Sequence, residues 1–328
     1  MTLQSGPSPL KLIKGTESFP LDADAQRFVE SISQLPSDLK SFRSDLVGLQ
    51  MPDLYEADVD TTFIQPAFED ATQNPFRLVR PRTEETLPLL LYFHGGGWSP
   101  GKPHSHDRWL RQLAVEARMA VASLDDALPE DGGMQIRIER AEAVIRELKY
   151  HAGNLRIDPS RNAFAGDSMG AHFAVLACLQ VYGKRISQPA ALILICPLII
   201  GARDSLSRDR FGSGPWLTMD VVRAMLAHPS LTTKETSSAP MPFTEKRHLD
   251  GAPTTVVITA EYDPLCDEGE DAARALMKAG VSVTATRYLG AVHNFPVLDQ
   301  LADSAPSSAA LQQIVGTLRT TTAKRDIS

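Results

Sequence analysis

From about Leu87 onward the chain alternates short apolar runs with longer amphipathic ones, and few folds accept that rhythm. The runs "LPLLLYF", "MAVASLD", "NAFAGD", "AALILICPL", "TTVVITAEYD" and "VSVTATRYL" are often β-branched and hardly alternate, as strands covered on both faces should be. Between most of them lie "DRWLRQLAVEARM", "MQIRIERAEAVIRELKYHAG", "GAHFAVLACLQVYG" and "DEGEDAARALMKAG", with apolar residues at three- and four-residue spacing. The last three close on a glycine suited to a helix C-cap. The expected fold class is therefore α/β, a mostly parallel central sheet flanked by helices. Upstream, "TTFIQPAF" and "NPFRLVRP" read as an antiparallel edge pair.

Two regions break the alternation. Residues 1 to 50 carry the helical segments "DADAQRFVESISQL" and "SDLKSFRSDLVGL" without a strand, and residues 200 to 249 are polar and proline-rich. A loop of about 50 residues is improbable inside a compact domain. We therefore expect a catalytic core of residues 51–199 and 250–328 under a helical cap of residues 1–50 and 200–249.

A net charge of −7 without any basic stretch excludes a phosphate-neutralising surface, so small molecules are the expected partners and nucleic acid is not. No apolar run reaches the roughly 18 residues that cross a bilayer. Cys178, Cys196 and Cys266 have neither disulfide parity nor ligand spacing, which predicts a reducing, cytoplasmic setting. No metal cluster or phosphate-cradling loop is visible, so no metal and no cofactor is expected. A homodimer stays open.

The chemistry is carried by "NAFAGDSMGAHFAVLACL", where Gly166, Ser168 and Gly170 form a G-x-S-x-G pattern between an apolar strand and an amphipathic helix. Small residues there let the strand turn sharply into the helix and present Ser168 at the strand's end. A serine hydroxyl needs a base, and the base needs an acid to hold its tautomer. Asp263 comes at the end of one later strand and His293 just after the next, in the Ser, acid, His order of an α/β-hydrolase. His172, four residues after Ser168, is the rival base, but it has no evident carboxylate to orient it and reads better as packed. Asp267, Glu268 and Glu270 open the next helix, where the dipole accounts for them. His94 reads as an anchor for the glycine loop behind it. His104 and His106 suggest a metal pair less well than Ser105 and Asp107 suggest a helix N-cap.

Acyl transfer through Ser168 would place negative charge on an oxygen, and bare backbone N–H groups suit it. In "LLLYFHGGGWSPG" the amides of Gly96 and Gly97, with that of Met169, are the candidate oxyanion hole. Trp98, Trp216, Leu217 and Val221 are the candidate pocket lining, and Trp216 fits the interior of the cap equally well.

The blocks "YFHGGGW", "GDSMG", "DPLCDEGE" and "GAVHNF" resemble, in order from Phe63 to Arg319, those of the hormone-sensitive-lipase-like carboxylesterases, α/β-hydrolase fold-3. The resemblance implies Ser168 as nucleophile, Asp263 as acid, His293 as base, the HGGG loop as oxyanion hole and a helical cap. It implies a serine carboxylesterase, and an apolar pocket closed by the cap predicts a preference for short- to medium-chain esters. Two departures stand out. "LDDALPEDGG" replaces the family's "YRLAPE"-like stretch, and "GDSMGAH" replaces "GDSAGGN", which brings Met169 and His172 beside the nucleophile. An acyltransferase, a lactone hydrolase, or a non-catalytic receptor like the gibberellin receptors, which lack the histidine, stays open on the same fold.

Overall fold

The computed structural model describes residues 20–32, 35, 40–42, 55–65, 75–95, 106–124, 133–184, 188–199, 204–227, 249 and 252–324. Eight strands form one sheet: β1 (Val59–Ile64), β2 (Phe76–Pro81), β3 (Leu87–Phe93), β4 (Ala120–Ser123), β5 (Ile157–Asp167), β6 (Ala191–Ile195), β7 (Thr254–Tyr262) and β8 (Val283–Val292). Their order across the sheet is β1-β2-β4-β3-β5-β6-β7-β8. β2 is antiparallel to both β1 and β4, and every pairing from β4 through β8 is parallel. The expected edge pair is therefore present. What the local pattern did not carry is that β4 inserts between β2 and β3.

β3 and β6 are buried at every residue, which is why their sequences show no alternation. The flanking helices are α1 (Ala23–Ser31), α2 (Asp107–Ala117), α3 (Gly133–Tyr150), α4 (Ala152–Leu155), α5 (Met169–Lys184), α6 (Leu206–Phe211), α7 (Met219–Leu226), α8 (Cys266–Lys278) and α9 (Ala305–Thr321). α2 packs with α9 and α3 with α5, while α8 lies on β7 and β8. The glycine stop after α8 is Gly280, whose φ of +91° no side-chain-bearing residue adopts without strain.

The two segments outside the alternation meet each other. The Trp216 ring sits 5.3 Å from that of Phe28 on α1 and 5.2 Å from that of Phe42, between the two chain segments expected to form a cap. Leu217 and Val221 are buried beside it. The N-terminal segment is also tied to β8, where the Asp22 N–H donates to the Gly290 carbonyl at 2.9 Å. Gly290 has φ +71°, and a Cβ there would lie 2.6 Å from the Asp22 nitrogen, so only glycine permits this docking.

Candidate active site

The parallel strands all deliver their chain to one edge of the sheet, and β5, β7 and β8 each end in a candidate residue. Ser168 follows β5 with φ 52°, left-handed for a residue with a Cβ. Backbone contacts hold it there. Its N–H donates to the Ile195 carbonyl at 2.8 Å, and its own carbonyl accepts from Leu198 at 3.1 Å. The glycines explain how so tight a turn packs. A Cβ on Gly166 would lie 2.5 Å from the Gly170 carbonyl oxygen, and one on Gly170 would lie 2.0 Å from the Phe93 carbonyl oxygen. Both approaches are backbone to backbone, so no side chain could move aside. α5 begins at Met169, where a first-turn N–H has no partner within the helix.

Asp263 follows β7 and His293 follows β8, and both side chains are buried. His293 Nδ1 lies 2.7 Å from Asp263 Oδ2, while Asp263 Oδ1 accepts the Leu265 N–H at 2.9 Å. With Nδ1 donating to the carboxylate, Nε2 is the basic nitrogen of the neutral ring. Cys196, at the end of β6, adds its Sγ to this group, all within 4.8 Å. Burial first and the nearby Asp263 carboxylate second push the Cys196 thiol well above its usual range, so it stays protonated. The three side chains thus form a hydrogen-bonded acid–base pair beside a neutral thiol.

Asp167, immediately before Ser168, is the hub of a second network that sequence reading did not single out. Its Oδ1 accepts from the Tyr92 hydroxyl at 2.8 Å and the Gly95 N–H at 3.0 Å, and lies 3.1 Å from His106 Nε2. Its Oδ2 accepts from Asn294 Nδ2 at 2.7 Å. Burial alone would raise its pKa, but His106 and the donors from Gly95 and Tyr92 outweigh that and hold it below the normal carboxylate range. A Cβ on Gly95 would lie 2.3 Å from Asp167 Oδ2, so the first glycine of the HGGG run is needed to admit this carboxylate.

The remaining histidines fall as follows. His94 Nδ1 contacts the Gly95 carbonyl at 2.8 Å, as expected of a loop anchor. Asp107 is not the N-cap expected of it, and Ser105, the other candidate, lies outside the described residues. His106 occupies the cap position of α2 without a side-chain cap bond, and Asp107 is buried in an ion pair with Arg77. A buried cation drew Asp107 inward, a demand that no local pattern encodes. His172 is fully buried, and burial lowers its pKa to about 4, so it is neutral at working pH. Two of the acids that open α8 also do more than meet a dipole. Asp267 accepts the Ser207 N–H at 2.8 Å. Glu268 is buried against Arg208 and accepts the Ile199 N–H at 2.7 Å. Gly96, Gly97, Trp98, His104 and residues 125–132 of the stretch that replaces the "YRLAPE"-like loop lie outside the described residues.

A family model for the α/β-hydrolase fold matches residues 90–297. Carboxylesterase NlhH of Mycobacterium tuberculosis is 33% identical over 235 residues, covering 70% of this chain and 73% of its own. An esterase of Fusarium pseudograminearum is 26% identical over 318 residues, covering 94% of this chain and 98% of its own. The crystal structure of a thermostable esterase from Pseudomonas putida superposes with a TM-score of 0.83 at 26% identity, covering 94% of this chain and all of that one. The chain belongs to the α/β-hydrolase fold-3 carboxylesterase family and is an ester hydrolase. Among the described residues, no helix is long and apolar enough to cross a membrane.

Proposed function

We propose that this chain is a serine carboxylesterase that cleaves short- to medium-chain esters through an acyl-enzyme on Ser168. The observation that carries the reading is the buried His293–Asp263 pair at 2.7 Å, on the same sheet edge as a left-handed serine at the start of α5. His293 Nε2 takes the Ser168 hydroxyl proton as Oγ attacks the ester carbonyl. Asp263 keeps the proton on Nδ1 and stabilises the imidazolium. The carbonyl oxygen becomes an oxyanion, for which the Met169 N–H and the amides of Gly96 and Gly97 are the assigned donors. Each such donor contributes roughly 3 to 4 kcal/mol to the transition state. His293 then passes its proton to the leaving alcohol, and water, deprotonated by the same nitrogen, cleaves the acyl-enzyme.

Residues 1–50 and 200–249 serve as the cap, with the contacts of Trp216 to Phe28 and Phe42 supporting that they form one unit. Trp98, Trp216, Leu217 and Val221 are assigned to the pocket side. For Trp216, whose ring packs within the cap, this places its influence in the shape of the cap. An enclosed apolar pocket favours each added CH₂ by roughly 0.8 kcal/mol until it is full. Water is the assigned acyl acceptor.

The test is a p-nitrophenyl ester series from acetate to palmitate, run with and without a serine-directed organophosphonate. Turnover that rises with pH as the base gives up its proton, and a single adduct on the Ser168 peptide, are expected. No turnover together with no adduct would replace the reading with a binding function.

A further inference from the structure

We propose that Asn294 is a positioning residue that fixes the base, His293, relative to the nucleophile by bonding to the carboxylate that immediately precedes Ser168. The inference rests on the proposed roles of Ser168 and His293. Asn294 is buried and makes two bonds to two different strand ends. Its Nδ2 donates to Asp167 Oδ2 at 2.7 Å, and its backbone N–H donates to Cys196 Sγ at 3.4 Å. Because the partner is a carboxylate that only accepts, the donor must be the amide nitrogen, and the orientation of the side chain is fixed. Asn294 Oδ1 has no partner among the described residues, so the Asp167 bond alone orients the amide.

The wiring joins the ends of β3, β5 and β6 to the residue that follows His293. Asp167 touches Tyr92 and Gly95 through Oδ1, at the start of the glycine loop, and Asn294 through Oδ2. Cys196, whose Sγ lies within 4.8 Å of the paired Asp263 and His293 atoms, receives the Asn294 backbone N–H. The farther end of the His293 loop is held separately, by Arg108 to the carbonyls of Pro296 and Val297 and to Asp299. Next to the base itself the Asn294 side chain makes this tether, and one residue further on the Ser307 hydroxyl donates to the Phe295 carbonyl at 3.0 Å. Acyl transfer needs His293 Nε2 aimed at a hydroxyl whose own position is set by Asp167's strand, and a shift of about 1 Å there costs up to about 100-fold in rate.

A plainer account is available. Asn294 has φ 58°, and asparagine is favoured in the left-handed region for its backbone alone. Two substitutions separate the accounts. Asn294→Gly keeps the left-handed backbone without strain and deletes the amide. Asn294→Asp keeps the shape but sets a second carboxyl against Asp167, where the pair would share one proton. We expect N294G to lower kcat about 10- to 100-fold with little change in KM, while remaining folded by circular dichroism. N294D should lose progressively more activity, relative to the unmodified protein, as pH rises and the shared proton departs, and so turn a rising pH profile into a bell. N294G within about twofold of the unmodified protein would support the backbone account and overturn the proposal. So would N294G and N294D profiles that run parallel at every pH. His293→Ala is the control for the underlying reading. If it keeps its activity, the base assignment fails. If it is inactive while N294G is normal, only the tether fails.

Discussion

His172 and His293 are both buried, yet burial acts on them with different company. His293 has Asp263 at 2.7 Å to stabilise its charged form, while nothing offsets the desolvation of His172. His172→Asn should therefore keep ester hydrolysis within a few-fold of normal at pH 8, whereas His293→Ala should lose about a thousandfold or more. Equal losses in a p-nitrophenyl acetate assay would mean that the wrong histidine had been assigned as base. The same shift has a sign in stability. With a folded pKa of about 4 against roughly 6.5 unfolded, His172 binds its proton more readily in the unfolded chain. Its contribution is complete above about pH 6.5 and is lost as pH falls toward 4, by an amount on the order of 3 kcal/mol. Thermal melts from pH 7 down to 4 should consequently fall less steeply for His172→Asn than for the unmodified protein.

Among the elements, α6 and α8 join the proposed cap segment to the strand that precedes Asp263. Ser207 and Arg208 on α6 meet Asp267 and Glu268 on α8, and Glu268 also holds the chain after β6 through Ile199. Burial raises the Glu268 pKa to about 7, against which Arg208 and the Ile199 N–H work only partly. A raised carboxyl favours the folded state while it is protonated. Its stabilisation is therefore complete below about pH 4.5 and is lost as pH rises through about 7. Glu268→Gln, which cannot ionise, should remove this component. The melting temperature of the unmodified protein should drop more between pH 5 and 8 than that of the variant. Parallel curves would show that Glu268 is ionised throughout, as a fully compensated partner of Arg208.

At the scale of the whole molecule, the two segments that left the strand–helix rhythm are packed onto each other. The N-terminal segment is pinned to β8 at Gly290, three positions before His293. With these segments as the proposed cap, a change in them should alter which esters fit without touching the proposed reacting groups. Trp216→Ala deletes a fully buried ring held between Phe28 and Phe42, which typically costs about 3 to 5 kcal/mol. The loosened cap should move the chain-length optimum of the p-nitrophenyl series while organophosphonate labelling of Ser168 persists. An unchanged optimum in a folded variant would remove the cap from any role in substrate size.

The strands of the α/β part, the G-x-S-x-G turn and the order Ser168, Asp263, His293 were legible in the sequence because each is a local demand. Covered strands need unbroken apolar runs, and Gly166 and Gly170 must be glycine because a Cβ there would fall within 2.5 Å of another backbone atom. The helix Ala305–Thr321 was not singled out, since its small, polar residues give only a weak apolar stripe. The insertion of β4 between β2 and β3 was decided by pairing across the sheet, which no single strand records. The same holds for the polar network. Asp167 and Asn294 stand 127 positions apart, and Arg208 and Glu268 stand 60 apart. An isolated Asp, Asn or Arg carries no periodicity to announce its partner. Only when folding buries them does an unpaired polar group become too costly to leave, and tertiary structure then selects the partners.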